Sequence, residues 1–450
     1  MASTYLTKTS TTVTDDKKFT ISTWVKRSAL DTNFGIFGHR DSSNSGNSNL
    51  QFGFYAQRFY MAFVSNNGAD THIYKTSNAL HRDTSAWYHI VASVDSTQAT
   101  ADDRVKMYVN GNQITSFSAS TNPPLNRTFL NSTCTIDVGK YTDGAGNPYY
   151  MDGSLSHFHY IDGTAYDASA FGETDATTGI WKPKTEPSVS YGTNGFFLKY
   201  ENSGSMGTDS SGNGNNFSVS GNLTQTIDTP SNVFATLNPL DVAGSGVTFA
   251  NGNTKGTSST TWSSTFTTLA VSKGKWYAEF KWDSGTYFMP GIRELNGKSA
   301  SISSSNFGDT AAPAHGYAWW SSGGEIYEAS VGSQSYGNPF STGDILGVYM
   351  DLDNSKLYFA KNGTLENSGT GFDIDTGDDI FYGFGVSLGT STISANFGNG
   401  YFGTTAVSSG NSDVNGLGTF EYDPSSGSFD GSSKDFLALC TKNINAQEYS

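Results

Sequence analysis

The sequence predicts an all-β chain: two β-sandwich (jelly-roll) domains in tandem, followed by a mostly irregular C-terminal tail. Three observations carry this. First, the 51 glycines, with abundant Ser, Thr and Asn, disfavour helix, and no stretch of a dozen residues carries helical periodicity. Second, short runs of β-branched and aromatic residues alternate with polar ones, as in RVKMYVNG (104–111) and KLYFAKNG (356–363). Third, both of those runs end in Asn-Gly, whose two residues tolerate the positive φ that a tight hairpin needs. At 450 residues the chain exceeds one ordinary core, so two or three domains are expected.

Taken in order, strand-like runs begin at Tyr5 and continue with FTISTWVKR (19–27), GIFGHR, LQFGFYA, RFYMAFVS, WYHIVASVD, RVKMYVNG, TIDVGKY and SLSHFHYIDG. Their spacing and turn chemistry suit a jelly roll, with Trp24 and Trp87 as inward-facing core residues of separate strands. The first domain is expected to close near residue 230. IDTPSNVFATLNPLDVAGSG (227–246) has two prolines and polar turn residues, so residues 231–258 read as a connector. A second strand series, from TWSSTFTTLAV to STISANFGNGYF, fills 259–404. Residues 405–450 are Gly/Ser/Asp-rich until DFLALCTKNINAQEYS, and read as a tail that straps back onto the body or docks on another subunit.

Composition narrows the function classes. Acidic residues outnumber basic ones by 41 to 26, for a formal charge of −15. Displacing counterions from phosphates needs clustered Lys and Arg, and none appear, so neither nucleic acid nor an anionic membrane surface is an expected partner. Two cysteines in 450 residues fit a reducing compartment rather than a disulfide framework. The opening MASTYLTKTSTTVTDDKKF has no apolar core, so no secretory leader is expected.

The first series resembles a laminin-G-like (concanavalin A-like) jelly roll. FTISTWVKRS, WYHIVASVD, RVKMYVNGNQI, IDVGKY and YMDGSLSHFHYIDGTAYDASAFGE carry the resemblance over most of residues 1–175. GFFLKYEN and DSSGNGNNFSVSG resemble the opening of such a domain displaced to its end. First and last strands of a jelly roll can be neighbours, so residues 191–224 are expected to pair with the N-terminal strands. The second series resembles a SPRY domain over roughly 260–400, most specifically in GDILGVYMDLDNSKLYFAKNG. That resemblance implies a binding module without catalysis. The two series, the connector and the ending GTFEYDP…LALCTKN together resemble structural proteins of tailed phages, especially marine ones. A non-enzymatic virion protein is what this implies: a tail fibre, an appendage or a capsid decoration, assembled in the host cytoplasm and released by lysis. Other virion proteins and host-surface glycans are the implied partners, with a homo-oligomer as a further expectation. The alternatives are a polysaccharide-degrading glycoside hydrolase and a cellular laminin-G-type adhesin.

Candidate chemistry is sparse. A laminarinase-like site needs two carboxylates converging on one bond, and no Glu-x-Asp-x-x-Glu string occurs. The nearest pairs are Asp351 and Asp353, which share one strand face and read as turn and surface residues ahead of a hairpin, and Glu325 and Glu328, which do not share a face. GVSLG (385–389) copies a nucleophile-elbow pattern, but its flanks are strands and not a strand–turn–helix. His157 and His159 share a strand face without an adjacent carboxylate or cysteine. No catalytic residue is assigned. Adjacent aromatics offer more, because strand neighbours point to opposite faces. Tyr149 and Tyr150, and Trp319 and Trp320, are therefore the candidate ligand-binding residues. Asp209, Ser211 and Asn213, in TDSSGNGNNF, copy the start of a calcium loop, but Ser220 stands where the bidentate Glu belongs. An EF-hand is excluded; a weaker calcium site and a plain Asn/Gly turn both remain open, and calcium is the one candidate cofactor.

Overall fold

A computed structural model describes residues 4–30, 33–41, 48–129, 133–176, 178–295, 306–307, 315–429 and 431–448. The chain divides into two compact units, Met1–Gln225 with Thr229–Ser231, and Thr226–Asp228 with Asn232–Ser450.

Among the described residues of unit one, two antiparallel sheets enclose a shared core. The first has eight strands, in spatial order Phe117–Thr121, Asp70–Ser77, Arg58–Ser65, Ser48–Tyr55, Asn33–Asp41, Thr135–Val138, Tyr5–Thr9 and Ser218–Ser220. The second has six: Phe196–Leu198, Gly153–Asp162, Lys18–Arg27, Trp87–Asp95, Val105–Val109 and Asn112–Gln113. Side-chain alternation sorts each strand. Phe59, Met61 and Phe63 enter the core, where they meet Ile21, Ile90 and Phe158 of the facing sheet. Tyr60 and Ala62, between them, belong to a separate cluster on the outer face. Residues 191–224 serve both sheets. Ser218–Ser220 pairs with Tyr5–Thr7 of the N-terminal strand, while Phe196–Leu198 pairs with Phe158–Tyr160.

Unit two is organised by two long strands, Lys275–Glu294 and Tyr382–Asn396, paired along most of their length. A register shift between Trp282 and Ser284 lets the first strand serve two neighbours. Its first part also pairs with Ile345–Asp351, and its end with Gly316–Trp319. Trp276, Phe280, Phe288, Trp319, Leu346 and Phe384 are among the residues filling the core.

One segment differs from expectation, and a second takes one of the two alternatives left open for it. Residues 231–258 fold into unit two instead of only connecting. Leu237–Ala243 is an edge strand against Ser263–Thr267, and Lys255–Ser258 pairs with the long strand Tyr382–Asn396. Pro239, which suggested a connector, sits where the register shifts between Leu237 and Val242, one of the few strand sites that tolerate a missing N–H. The C-terminal segment is irregular but packed. Leu437–Ala438 adds a parallel bridge to Trp276–Tyr277, and Thr441–Glu448 forms a short helix. Phe420, Phe429 and Phe436 are buried with Tyr277, Tyr349 and Tyr358.

Candidate ligand-binding surfaces

On the outer face of the eight-stranded sheet of unit one, tyrosines gather from five strands. Tyr60 is central, with ring centroids 5.8 Å from Tyr55, 5.5 Å from Tyr74 and 6.2 Å from Tyr141. Tyr149 extends the group, 5.4 Å from Tyr141. Tyr141 and Tyr149 reach the sheet on a hairpin, Lys140–Thr142 with Pro148–Tyr150, laid flat on strand Asn33–Asp41. Gly35 makes that approach possible: a Cβ there would lie 2.1 Å from the Tyr149 carbonyl oxygen. Tyr60 and Tyr141 are buried, Tyr74 and Tyr149 half-buried, and Tyr55 exposed.

Polar groups are set among these rings. The Tyr60 hydroxyl donates to Gln51 Oε1 (2.8 Å), and the Tyr141 hydroxyl to Asn33 Oδ1 (3.3 Å). The Tyr149 hydroxyl donates to Asp143 Oδ2 (3.2 Å). Partial burial opposes ionisation of Asp143, but hydrogen bonds from Asn147, Tyr149 and Ala145 outweigh it and lower its pKa. The face thus joins ring surface to fixed amide, hydroxyl and carboxylate groups. Tyr150 belongs elsewhere, half-buried against Tyr5 at 6.1 Å.

In unit two the tryptophan pair separates by strand alternation. Trp319 is core, fully buried, with Phe340 at 4.5 Å and its Nε1 donating to the Gly324 carbonyl (3.2 Å). It is therefore no surface ligand residue. Trp320 points the other way and is half-buried, beside Tyr287 (5.2 Å, 25°) and Trp262 (5.5 Å). Tyr287 and Trp262 are themselves 5.9 Å apart and 20° from parallel.

The loop of Asp209, Ser211 and Asn213 is held by its own hydrogen bonds. Asp209 Oδ1 accepts from the backbone N–H groups of Phe197 (2.9 Å) and Ser211 (2.8 Å). Its Oδ2 accepts from the Ser211 hydroxyl (2.9 Å) and the Asn215 N–H (2.8 Å). Asn213 Nδ2 donates to the carbonyls of Gly192 and Gly195. Among the described residues, no group of three or more His, Cys, Asp or Glu side chains is arranged to hold a metal ion.

The remaining candidates have structural occupations. Asp351 accepts from the Asn354 backbone and side-chain N–H groups, and Asp353 from Gly274 N–H, which fixes turns. Ser387 of the Gly-x-Ser-x-Gly pattern is buried in a strand and shares a 2.6 Å hydrogen bond with Ser264. His159 stacks on Phe197 at 3.9 Å, and burial holds its pKa well below the usual value. His89 lies stacked beside Trp24 and Trp181; burial, then His157, lowers its pKa to about 3. A polar cleft of about 350 Å³ opens in unit two beside Tyr317, Glu328, Gln334, Tyr336, Asp373 and Asp375. Burial, then Asp375, raises the pKa of Glu328.

Sequence reasoning reached Tyr149 and Trp320 through their doubled aromatics and missed their partners. Tyr55, Tyr60 and Tyr287 also stand in doubled aromatics (Phe54-Tyr55, Phe59-Tyr60, Tyr287-Phe288) that were passed over, Tyr74 and Tyr141 stand singly on their strands, and Trp262 immediately precedes strand Ser263–Thr267. Their signal was an aromatic at an outward-facing position, visible once the core parity of each strand is assigned.

Residues 1–164 match the family model described as the Concanavalin A-like lectin/glucanases superfamily, and residues 275–400 match the SPRY domain. No curated protein matches the chain. Among solved structures, the SPRY domain of human HERC1 is 14% identical at a TM-score of 0.29, covering 35% of this chain and 96% of its own. A human SPRY domain is 14% identical at a TM-score of 0.25, covering 34% and 96%. The stonustoxin structure is 19% identical at a TM-score of 0.27, covering 36% of this chain and 27% of that one.

Proposed function

We propose that this chain, which joins a concanavalin A-like domain to a SPRY domain, is a non-enzymatic recognition protein whose first unit binds glycans. The tyrosine-lined outer face of unit one carries the reading. Sugar rings present C–H faces that stack on aromatic rings, while their hydroxyls need fixed donors and acceptors to orient them. Tyr55, Tyr74 and Tyr149 supply the ring surface; Gln51, Asn33 and Asp143 hold the hydroxyls of Tyr60, Tyr141 and Tyr149 in the same cluster. The resemblance of the sequence to tailed-phage structural proteins supports a place on a virion, where host-surface glycans would be the ligands and neighbouring virion proteins the other contacts.

A glycan array probed with the full chain tests the binding claim. Wild type is expected to bind a defined subset of glycans, and Tyr55→Ala with Tyr149→Ala to lose part of that subset, the glycans held by the unit-one face, while keeping the wild-type melting temperature. Binding that survives both substitutions unchanged contradicts the assignment. The hydrolase alternative has one favourable observation, the raised carboxyl of Glu328 beside Asp375 in the polar cleft. Asp375 is also 3.1 Å from His315 Nδ1. Release of reducing ends that Glu328→Gln abolishes would establish that alternative.

A further inference from the structure

We infer that unit two carries a second ligand platform, formed by Trp262, Tyr287 and Trp320, that stacks on a neutral saccharide. The three ring centroids form a nearly equilateral triangle with sides of 5.2, 5.5 and 5.9 Å. A linear column would hold its outer rings about twice as far apart as neighbours, so the rings do not form one. Tyr287 is exposed and Trp262 and Trp320 are half-buried, so the group is open to solvent. Tyr327 abuts Trp320 edge-on at 6.1 Å and extends the group.

The sheet beneath explains why the rings lie there. Gly383, Gly385, Ser387 and Gly389 alternate along strand Tyr382–Asn396 with the core residues Phe384, Val386 and Leu388. They make a lane of small residues on the opposite face. Tyr287 pairs directly across from Gly389, and a Cβ at Gly389 would meet the Tyr287 Cβ at 2.9 Å. The glycine lane therefore seats an aromatic layer, Phe266 over Gly385 and Tyr287 over Gly389, and the two tryptophans close around it.

Charge selects the occupant. Residues 258–264, 284–288, 320–324 and 388–392, which carry or adjoin these rings, contain no basic side chain, and the charged residues that directly flank them, Asp283 and Glu325, are both acidic. Thr261, Ser284, Thr286, Ser322 and Thr390 are exposed in these segments and offer hydroxyls. A protein-binding hot spot ordinarily carries Arg and a charged, polar rim around its aromatics. Ring faces bordered by uncharged hydroxyls match the C–H faces and hydroxyls of an uncharged sugar, and give an acidic sugar no cation to pair with.

Titration of full-length protein with cellohexaose, laminarihexaose, chitohexaose and maltohexaose tests this, with an oligogalacturonate as the acidic control. The variants are made in a Tyr55→Ala/Tyr149→Ala background, which removes the unit-one face. At least one neutral hexasaccharide is expected to bind there, with Trp320→Ala or Tyr287→Ala weakening it about tenfold and Trp320→Phe largely restoring it. The oligogalacturonate is expected to bind at least about tenfold more weakly than the best neutral ligand. No Trp320-dependent binding of any of the four overturns the proposal, as does equal binding of the acidic oligomer. Loss of all binding in the background alone leaves the unit-one assignment standing and overturns this one. Binding in the background that Trp320→Ala removes upholds this proposal, and the unit-one assignment then stands or falls on the glycans that wild type binds and the background does not.

Discussion

Asp209 takes four donors on two oxygens, from Phe197, Ser211 twice and Asn215, so the carboxylate does from inside the loop what a bound cation would do from its centre. Asp209→Ala leaves three backbone N–H groups without that acceptor and is expected to cost about 2 kcal/mol, read from urea denaturation of unit one. Calcium or chelator is expected to leave the melting temperature unmoved; a rise with calcium would restore the metal reading. The sequence displayed the oxygen-bearing side chains of this loop but not their targets. The Phe197 N–H lies 12 residues away in a strand, and only folding brings it to Asp209. Trp319 and Trp320 teach the complementary lesson: alternation says that one faces out, and core packing decides which.

At the scale of elements, strand parity was legible in part and partner choice was not: Trp24, expected to face inward, lies on the face opposite Ile21 and Val25, stacked on His89. Alternation in RFYMAFVS marks Phe59, Met61 and Phe63 as one face, and the core contains all three. The flat seating of hairpin Lys140–Thr142 with Pro148–Tyr150 needs Gly35 on a strand over a hundred residues earlier, a coincidence that local pattern does not register. Pro239 misled for a related reason, since irregular composition describes backbone and not burial, whereas the C-terminal segment straps back onto the body, one of the two outcomes expected of it. Phe420, Phe429 and Phe436 make that segment part of unit two. Phe436→Ala is expected to destabilise unit two by about 3–4 kcal/mol in urea denaturation. A loosely attached tail would instead lose less than about 0.5 kcal/mol, the range of ordinary surface substitutions.

For the whole molecule, buried titratable groups give the two units opposite responses to pH. In unit one, burial first, then Lys8, lowers His39 to about 3; burial first, then Arg27, lowers His81 to about 4; His89 lies at about 3. A depressed histidine contributes stability above its unfolded value of 6.5, and loses it as pH falls toward the folded value. Each such group withholds up to about 1.4 kcal/mol per pH unit in that window. In unit two, burial raises Glu279 to about 7, although donors from Tyr277, Asn396, Glu421 and Tyr422 oppose the rise. A raised carboxyl contributes stability below its unfolded value of 4.5 and loses it as pH climbs through about 7. Between pH 4.5 and 6.5, rising pH is expected to strengthen unit one and remove the Glu279 contribution from unit two. Calorimetry across that range checks the opposition, and Glu279→Gln is expected to flatten the unit-two response alone.

The central claim is that the molecule recognises glycans through its aromatic faces without altering them. The most direct measurement is a calorimetric titration of the array-selected oligosaccharide into wild type and the Tyr55→Ala/Tyr149→Ala variant, followed by mass analysis of the recovered sugar. Saturable binding by wild type, its loss from the unit-one face in the variant and recovery of an intact ligand are expected. Undiminished binding to that face in the variant, or a shortened sugar after incubation with wild type, would contradict the claim.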